Sequence, residues 1–272
     1  MSELAQKQNR ARIFVENVGR RTVRGVEETG YIFSLLVETL YWLILGRRRK
    51  QPVRITSIFD DAMKIGVHAI AIISILCFAV GVMLAIQGIE SLRTFGAESK
   101  VVLGIAISIT REFSPLIVGI LVAGRSGSAI TARIGTMLES QEIDALRVIG
   151  INPVRYLAAP ILVSALIMVP ALTVLGDIAG LLGGAIYSCI DLHMTLATYM
   201  ERTFDALSTY DIFQGLIKSV VFAILIALIG VSNGFQVRGG AEGVGRATTR
   251  SVVLAISFIV IFDMVFTYFL NR

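Results

Sequence analysis

The chain has 272 residues, of which 55% are hydrophobic and only 17% are charged, and its mean hydropathy is +0.76. Soluble domains usually contain about 25% charged residues, so this composition disfavours a soluble enzyme and excludes a disordered chain. The net charge of +5 does not indicate nucleic-acid binding, because 12 of the 25 lysine and arginine residues lie within residues 1–64 and the others flank long apolar runs.

The first 54 residues form a basic segment without the early apolar core of a signal peptide. Residues 31–45 are apolar, but this stretch is shorter than the roughly 20 residues that a membrane span needs, and it contains Glu38. Tyr41 and Trp42 stand beside the basic cluster 47–50, a pattern typical of a helix that lies in the cytoplasmic interface. The alternative is a short or re-entrant span.

Five later runs are long and apolar enough to cross a membrane, and they cover residues 66–89, 101–123, 156–190, 216–237 and 251–270. We expect helices, because hydrocarbon offers no hydrogen-bond partner to an unpaired backbone. The fold class is therefore all-α. We predict a polytopic helical membrane protein with about five transmembrane helices, an N-terminal interfacial helix and a cytoplasmic helix between two spans.

The run 156–190 allows either one long helix or a hairpin of two spans. With one helix there, the N-terminal segment and the loops 124–155 and 238–250 share one side, and together they hold 19 of the 25 lysine and arginine residues. Basic residues concentrate on the cytoplasmic side of membrane proteins. This distribution favours five spans with the N-terminus in the cytoplasm, in one membrane domain of residues 55–272 that follows a basic segment of residues 1–54.

A few charged residues lie within the spans, where insertion of a charge costs at least about 2.5 kcal/mol. Arg111 and Glu112 are in the middle of the second run, Lys218 is near the start of the fourth, and Asp263 is past the middle of the fifth. Two interpretations of Arg111 and Glu112 remain open: neutralisation by charges on another helix, or the polar wall of a central cavity. Lys218 is near enough to an interface to extend its amine toward water.

Residues 134–149 carry apolar side chains at helical spacing on one face, with acidic residues elsewhere. An amphipathic helix joined to two membrane helices is suited to dock into a groove of another protein, and the alternative is a helix that rests on the membrane surface. The sequence has no complete nucleotide-binding motif, catalytic-triad spacing or zinc-ligand cluster. We therefore expect no enzymatic activity and no metal, and an energy source in a partner or a gradient.

Five ordered motifs resemble those of the MlaE-type permeases, the membrane subunits of ABC transporters that work with MCE proteins in lipid trafficking. The motifs are REFSPL at 111–116, AGRSGSA at 123–129, IDAL at 143–146, IKSVVF at 217–222 and GVGRATTR at 243–250. The resemblance extends from about residue 55 to the C-terminus, and just before IDAL this chain has Gln-Glu where the family often has Glu-Gln.

This resemblance implies a homodimer in the bacterial inner membrane, with an ABC ATPase on the cytoplasmic side and an MCE-domain protein in the periplasm. Some related systems add a small STAS-domain protein. The implied cargo is phospholipid or a related lipid, moved for lipid trafficking or outer-membrane lipid asymmetry, with ATP bound by the ATPase and no cofactor on the chain itself. The alternative is a secondary transporter that uses an intramembrane carboxylate.

The resemblance also implies roles for individual residues. Arg111, Glu112, Lys218 and Asp263 match polar positions at or near the family's central lipid cavity. Residues 134–149 match its coupling helix, and residues 31–45 belong to its interfacial N-terminal helix. The candidates for contact with the ATPase are Glu139, Glu142, Ile143, Asp144 and Leu146.

Overall fold

The computed structural model describes residues 2–46 and 53–270, without the side chains of residues 2–18, 20–22 and 24, and the basic cluster 47–50 lies outside the described part. All regular structure in the described part is helical, as the sequence predicted. The α-helices are α1 (Ser2–Leu45), α2 (Ile55–Ile65), α3 (Ile70–Arg93), α4 (Val101–Ser108), α5 (Ser114–Val122), α6 (Ser128–Glu139), α7 (Glu142–Val148), α8 (Ala159–Asp191), α9 (Leu196–Ala206), α10 (Thr209–Phe235) and α11 (Gly240–Leu270).

Six helical stretches in the described part have the length and apolar composition of a membrane span. Four of them contain a predicted run, a fifth contains the run 216–237 except for its last two residues, and the sixth, Gly25–Leu45, contains the predicted interfacial segment. The polytopic helical class is thereby confirmed, whereas the number of spans stays a prediction. The other five stretches are Ile55–Arg93, Glu98–Glu139, Val154–Asp191, Thr209–Phe235 and Gly240–Leu270.

Residues 156–190 do not form a hairpin, because α8 is one continuous helix that contains Pro170. At 1.5 Å per residue this helix is about 50 Å long, which exceeds the thickness of the hydrocarbon. Small residues let α8 lie directly against α3: a Cβ atom on Gly81 would be 1.9 Å from the Gly180 carbonyl oxygen, and one on Gly183 would be 2.2 Å from the Phe78 carbonyl oxygen. Helices in membranes use such small residues to pack closely.

The main core lies where α3, α5, α6, α8 and α10 meet, and α1 and α11 pack on its outside. A smaller apolar cluster lies at the other end of the bundle, among α3, α4 and α8, and α9 covers it. Tyr199 of α9 is fully buried there and donates a hydrogen bond to the Leu181 carbonyl oxygen at 3.3 Å. Burial raises the pKa of Tyr199 to about 12, so its phenol stays neutral and remains a donor.

The single helix predicted over residues 134–149 is wrong, because the chain forms two helices there. α6 ends at Glu139, and α7 begins at Glu142 after Gln141 adopts a left-handed conformation with φ 62°. The Ser140 hydroxyl donates to the Thr136 carbonyl at 2.9 Å and so satisfies an end of α6. α7 then ends in a Schellman motif around Gly150, whose φ is 81°.

The predicted cytoplasmic loop 238–250 is also mostly helical, since α11 already begins at Gly240. The turn before it is tight: Gly239 and Gly240 both have positive φ, and a Cβ atom on Gly243 would be 2.1 Å from the Arg238 carbonyl oxygen. The glycines of this segment therefore permit a sharp turn into the last long helix.

The second half of α1 is attached to the bundle by polar and aromatic contacts. Glu28 forms an ion pair with Arg250 near the start of α11. Glu38 accepts a hydrogen bond from the Asn152 side chain at 2.9 Å, and the Arg155 guanidinium lies 5.5 Å from the centre of the Trp42 ring. These contacts join α1 to the end of the bundle that carries α7.

Candidate functional site

Lys218 lies at the centre of a polar cluster between three membrane helices. Its amine is 2.5 Å from a carboxylate oxygen of Glu112 and 3.0 Å from one of Asp263. Thr267 accepts a hydrogen bond from the Lys218 amine at 3.0 Å and donates to Glu112. We call Glu112, Lys218, Asp263 and Thr267 the Lys218 cluster; it contains one cation and two carboxylates.

Arg111 and Glu112 reach their positions through a π-helical turn, Ile109–Phe113, within the second long helical stretch. The Ser114 amide bonds to the Ile109 carbonyl five residues back, as a π turn requires. Pro115 explains the wider turn, because in a regular α-helix its ring would clash with the carbonyl of Arg111. Such single π turns occur frequently at functional sites.

Arg111 pairs with a residue that the sequence reasoning missed. Its Nε donates to Asp211 Oδ1 at 2.5 Å. The other oxygen of Asp211 accepts hydrogen bonds from the Ser208 amide at 2.7 Å and the Ser208 hydroxyl at 2.8 Å. Ser208 and Asp211 form the capping box that starts α10, and their three-residue spacing is a recognisable sequence signal for a helix start.

Close packing of α10 on the π turn places Lys218 next to Glu112. A Cβ atom on Gly215 would lie 2.2 Å from the Thr110 carbonyl oxygen, so only glycine permits this approach. Lys218 follows three residues later, about 14 Å along the helix from the start of α10. Lys218 is therefore well inside α10 and not at its end.

The structure shows the immediate contacts of these charges. Lys218 is 0% exposed and does not extend to water. Both Arg111 and Glu112 are neutralised by charges on other helices, yet their side chains stay 26% and 28% exposed. The two ion pairs therefore join helices to one another and still leave polar groups partly exposed.

The five candidates for contact with an ATPase lie on two helices rather than one. Glu139 is exposed at the end of α6, and Glu142 and Asp144 are exposed on α7. Ile143 is 0% exposed, so it anchors α7 to the core, and Leu146 is partly buried. The last turn of α7 also presents Val148 and Ile149 to the surroundings, 87% and 68% exposed.

Within residues 2–46 and 53–270 no group of three or more His, Cys, Asp or Glu residues is placed to hold a metal ion. Glu112 and Asp263 both contact the Lys218 amine. The chemistry that this arrangement offers is charge and hydrogen bonding to a polar group within a hydrophobic environment.

Comparison with known proteins places the chain among transporter subunits. The family described as Permease MlaE matches residues 58–269. A probable ABC transporter permease protein of Rickettsia prowazekii is 34% identical over 250 residues, which cover 92% of this chain and 95% of that protein. A probable ABC transporter permease protein of Synechocystis is 32% identical, covering 84% of this chain and 85% of its own length.

A plant relative is similar over a shorter region. The chloroplastic protein TRIGALACTOSYLDIACYLGLYCEROL 1 of Arabidopsis thaliana is 36% identical over 190 residues, which are 70% of this chain and 54% of that protein.

Proposed function

Because this chain belongs to the Permease MlaE family, we propose that it is the membrane subunit of an ABC transporter that moves phospholipid or a related lipid. Its permease character agrees with the relatives named as ABC transporter permeases. Support for a lipid cargo comes from the plant relative, which is named after a galactose-bearing diacylglycerol lipid.

One observation carries the proposal for the cargo: the Lys218 cluster lies within helical stretches that are long and apolar enough to cross a membrane, and Arg111 and Glu112 remain partly exposed. A lipid has a charged headgroup and apolar chains, so a surface with both characters suits it. We propose that Arg111, Glu112, Lys218 and Asp263 bind or guide the headgroup while the apolar helix faces contact the acyl chains.

The proposed assembly is a homodimer in the bacterial inner membrane, with its N-terminus in the cytoplasm. A cytoplasmic ABC ATPase supplies ATP hydrolysis, and an MCE-domain protein in the periplasm exchanges lipid with the dimer. A STAS-domain protein joins in some assemblies. The N-terminal segment and the ranges 124–155 and 238–250, which together hold 19 of the 25 lysine and arginine residues, support this orientation. Such an assembly would serve lipid trafficking or outer-membrane lipid asymmetry.

In the proposed mechanism, closure of the ATPase dimer moves α6 and α7 and with them the π turn that carries Arg111 and Glu112. α6 and the Ile109–Phe113 turn belong to one helical stretch, Glu98–Glu139, so motion at its end reaches the Lys218 cluster. Transport of this kind needs two states with different affinity for lipid. We propose that the ion pairs differ between those two states.

A reconstitution experiment tests the proposal. The chain and its partner ATPase are placed in proteoliposomes that contain a fluorescent phospholipid, and transfer to an added MCE-domain protein is followed. We expect transfer only with ATP and, at equal amounts of folded protein, at least about tenfold slower transfer for Lys218→Met, a loss of the size that follows removal of one charged contact. Glu201→Gln, an exposed carboxylate on α9, serves as the control and leaves transfer unchanged.

The rival function, a secondary transporter, makes the opposite prediction for the same vesicles. It requires a gradient-coupling carboxylate, for which Glu112 and Asp263 are the candidates. Lipid transfer driven by an ion gradient without any ATPase would support that rival and contradict the ABC proposal.

A further inference from the structure

A pocket of about 210 Å³ lies between α2 and α6, away from the Lys218 cluster. Its polar lining comprises Asp61, Lys64, Ser126 and Arg133, and Ile65 and Ile130 contribute apolar walls. Ile130 packs against Gly230 of α10, which is twelve residues, or about 18 Å along the helix, from Lys218. The pocket is therefore a second polar site at a different depth.

Two hydrogen-bond donors of this pocket have no acceptor. Ser126 is only 5% exposed, and its hydroxyl has no hydrogen-bond partner in the described part of the chain. The same holds for Arg133 Nε, which is buried although the side chain is partly exposed. Buried donors are almost always paired in folded proteins, so two unpaired donors lining one pocket indicate a missing acceptor.

The charge of the pocket indicates what kind of acceptor fits. Arg133 Nη1 donates to Asp61 Oδ1 at 2.7 Å, so this carboxylate neutralises one cation. Because Asp61 balances Arg133, the Lys64 ammonium gives the lining a net charge of +1. A ligand with a single negative charge and several acceptor oxygens matches the lining, and a phosphodiester has both properties.

The position of the pocket indicates where such a group comes from. α2 is amphipathic: Ile55, Phe59 and Met63 follow each other at four-residue spacing and are all more than half exposed, whereas Asp61 and Ile65 are buried. A helix with this pattern lies in the membrane interface with its apolar face among the acyl chains. The polar pocket beside it is then at the level of lipid headgroups.

We propose that this pocket binds the phosphate of a phospholipid in the leaflet on the α2 side of the membrane. Lys64, Arg133 Nε and the Ser126 hydroxyl donate to the phosphate oxygens, and Ile65 and Ile130 contact the glycerol and the first methylene groups. Phospholipid binding at this pocket requires only that the chain lies in a bilayer. It can therefore be tested independently of the cargo proposed for the Lys218 cluster.

A photocrosslinking experiment on the full chain tests the site. A benzophenone amino acid replaces Ala129, which also lines the pocket, and the purified chain is irradiated with dioleoylphosphatidylglycerol or with dioleoylglycerol, which lacks the phosphate. We expect a mass-spectrometric adduct with the phospholipid and about tenfold less with dioleoylglycerol. The combined change Lys64→Gln and Ser126→Ala should weaken phospholipid binding at least about tenfold, because contacts to a charged group are lost.

The controls separate the proposal from general lipid adhesion. The matched pair Lys100→Gln and Ser128→Ala removes the same functional groups outside the pocket and should leave the adduct unchanged. The Asp61–Arg133 ion pair is kept in every variant, and if the double change unfolds the chain, Ser126→Ala alone should weaken binding about threefold.

Three results would overturn the proposal. They are an adduct of equal yield with dioleoylglycerol, an unchanged yield in the pocket variants, and displacement of the phospholipid by millimolar inorganic phosphate. The last result would assign the pocket to soluble phosphate instead of lipid.

Discussion

At the scale of single residues, the charges inside the membrane could be identified from the sequence, but their partners could not. Arg111, Glu112, Lys218 and Asp263 stand out because they interrupt apolar runs. That Lys218 is fully buried depends on Gly215, whose missing side chain lets α10 approach the π turn. Contacts of this kind join residues about a hundred positions apart, and a single sequence read without an alignment does not reveal them.

Replacement of Lys218 by methionine should strongly destabilise the protein. Glu112 and Asp263 would then face each other without a cation, and breaking a buried ion pair typically costs about 3–5 kcal/mol. We expect a clear drop in the melting temperature of the detergent-purified chain, measured by intrinsic fluorescence.

The triple change Lys218→Met, Glu112→Gln and Asp263→Asn is the matched control. Removing all three charges avoids an unpaired charge and should recover most of the lost stability. If the triple variant melts as low as the single one, the ion pairs do not explain the effect of Lys218→Met.

At the scale of helices, the apolar runs correctly predicted where the long helices lie, but they did not predict local departures from regular α-helix within those stretches. The π turn before Pro115 and the break at Gln141 each depend on a few residues and leave the hydrophobic period almost unchanged. The predicted helix 134–149 failed for this reason: apolar spacing continues across Ser140 and Gln141, although the backbone changes direction there.

Close contact between α3 and α8 should make Gly81 intolerant of any side chain. Gly81→Ala would bring a methyl group to 1.9 Å from the Gly180 carbonyl oxygen, and overpacking of this kind costs about 1–3 kcal/mol. Gly104→Ala in α4, where no atom lies within 4 Å of the new methyl group, should be neutral or slightly stabilising. Equal melting temperatures for the two variants would contradict the packing described for α3 and α8.

Charge reversal on α7 should disrupt assembly with the proposed ATPase. Glu142 is exposed and accepts a hydrogen bond from the neighbouring Ser140 hydroxyl at 2.9 Å, so Glu142→Lys should leave the fold intact. We expect loss of most ATPase co-purification and of lipid-stimulated ATP hydrolysis. Glu201→Lys on α9 reverses a charge on another exposed helix and should have no effect, and wild-type assembly of Glu142→Lys would exclude this residue from the contact.

At the scale of the whole molecule, composition and charge distribution were enough to predict a helical membrane protein, and the ordered motifs were enough to place it in its family. The central helix α8 could not be distinguished from a hairpin by hydropathy, since both have the same apolar content. Whether α1 crosses the membrane or lies in its interface is also undetermined by composition. The second half of α1 has the length of a span, yet it forms polar contacts with α11 and with the segment after α7.

Reporters fused to the two ends of the chain distinguish five spans from six. With α1 in the interface, an N-terminal reporter should be cytoplasmic and a C-terminal one should be outside. If Gly25–Leu45 crosses the membrane, both reporters should lie on the same side, which would contradict the proposed topology. Paired fusions to alkaline phosphatase and green fluorescent protein give this answer directly.

The π turn at Ile109–Phe113 has a further consequence for how the sequence tolerates insertions and deletions. A π turn contains one residue more than the α-helical turn that it replaces, and one residue rotates an α-helix by about 100°. Deleting one residue of this turn would therefore turn α4 away from its present face relative to α5. The number of residues between α4 and Pro115, and not only their chemistry, therefore determines that Glu112 points at Lys218.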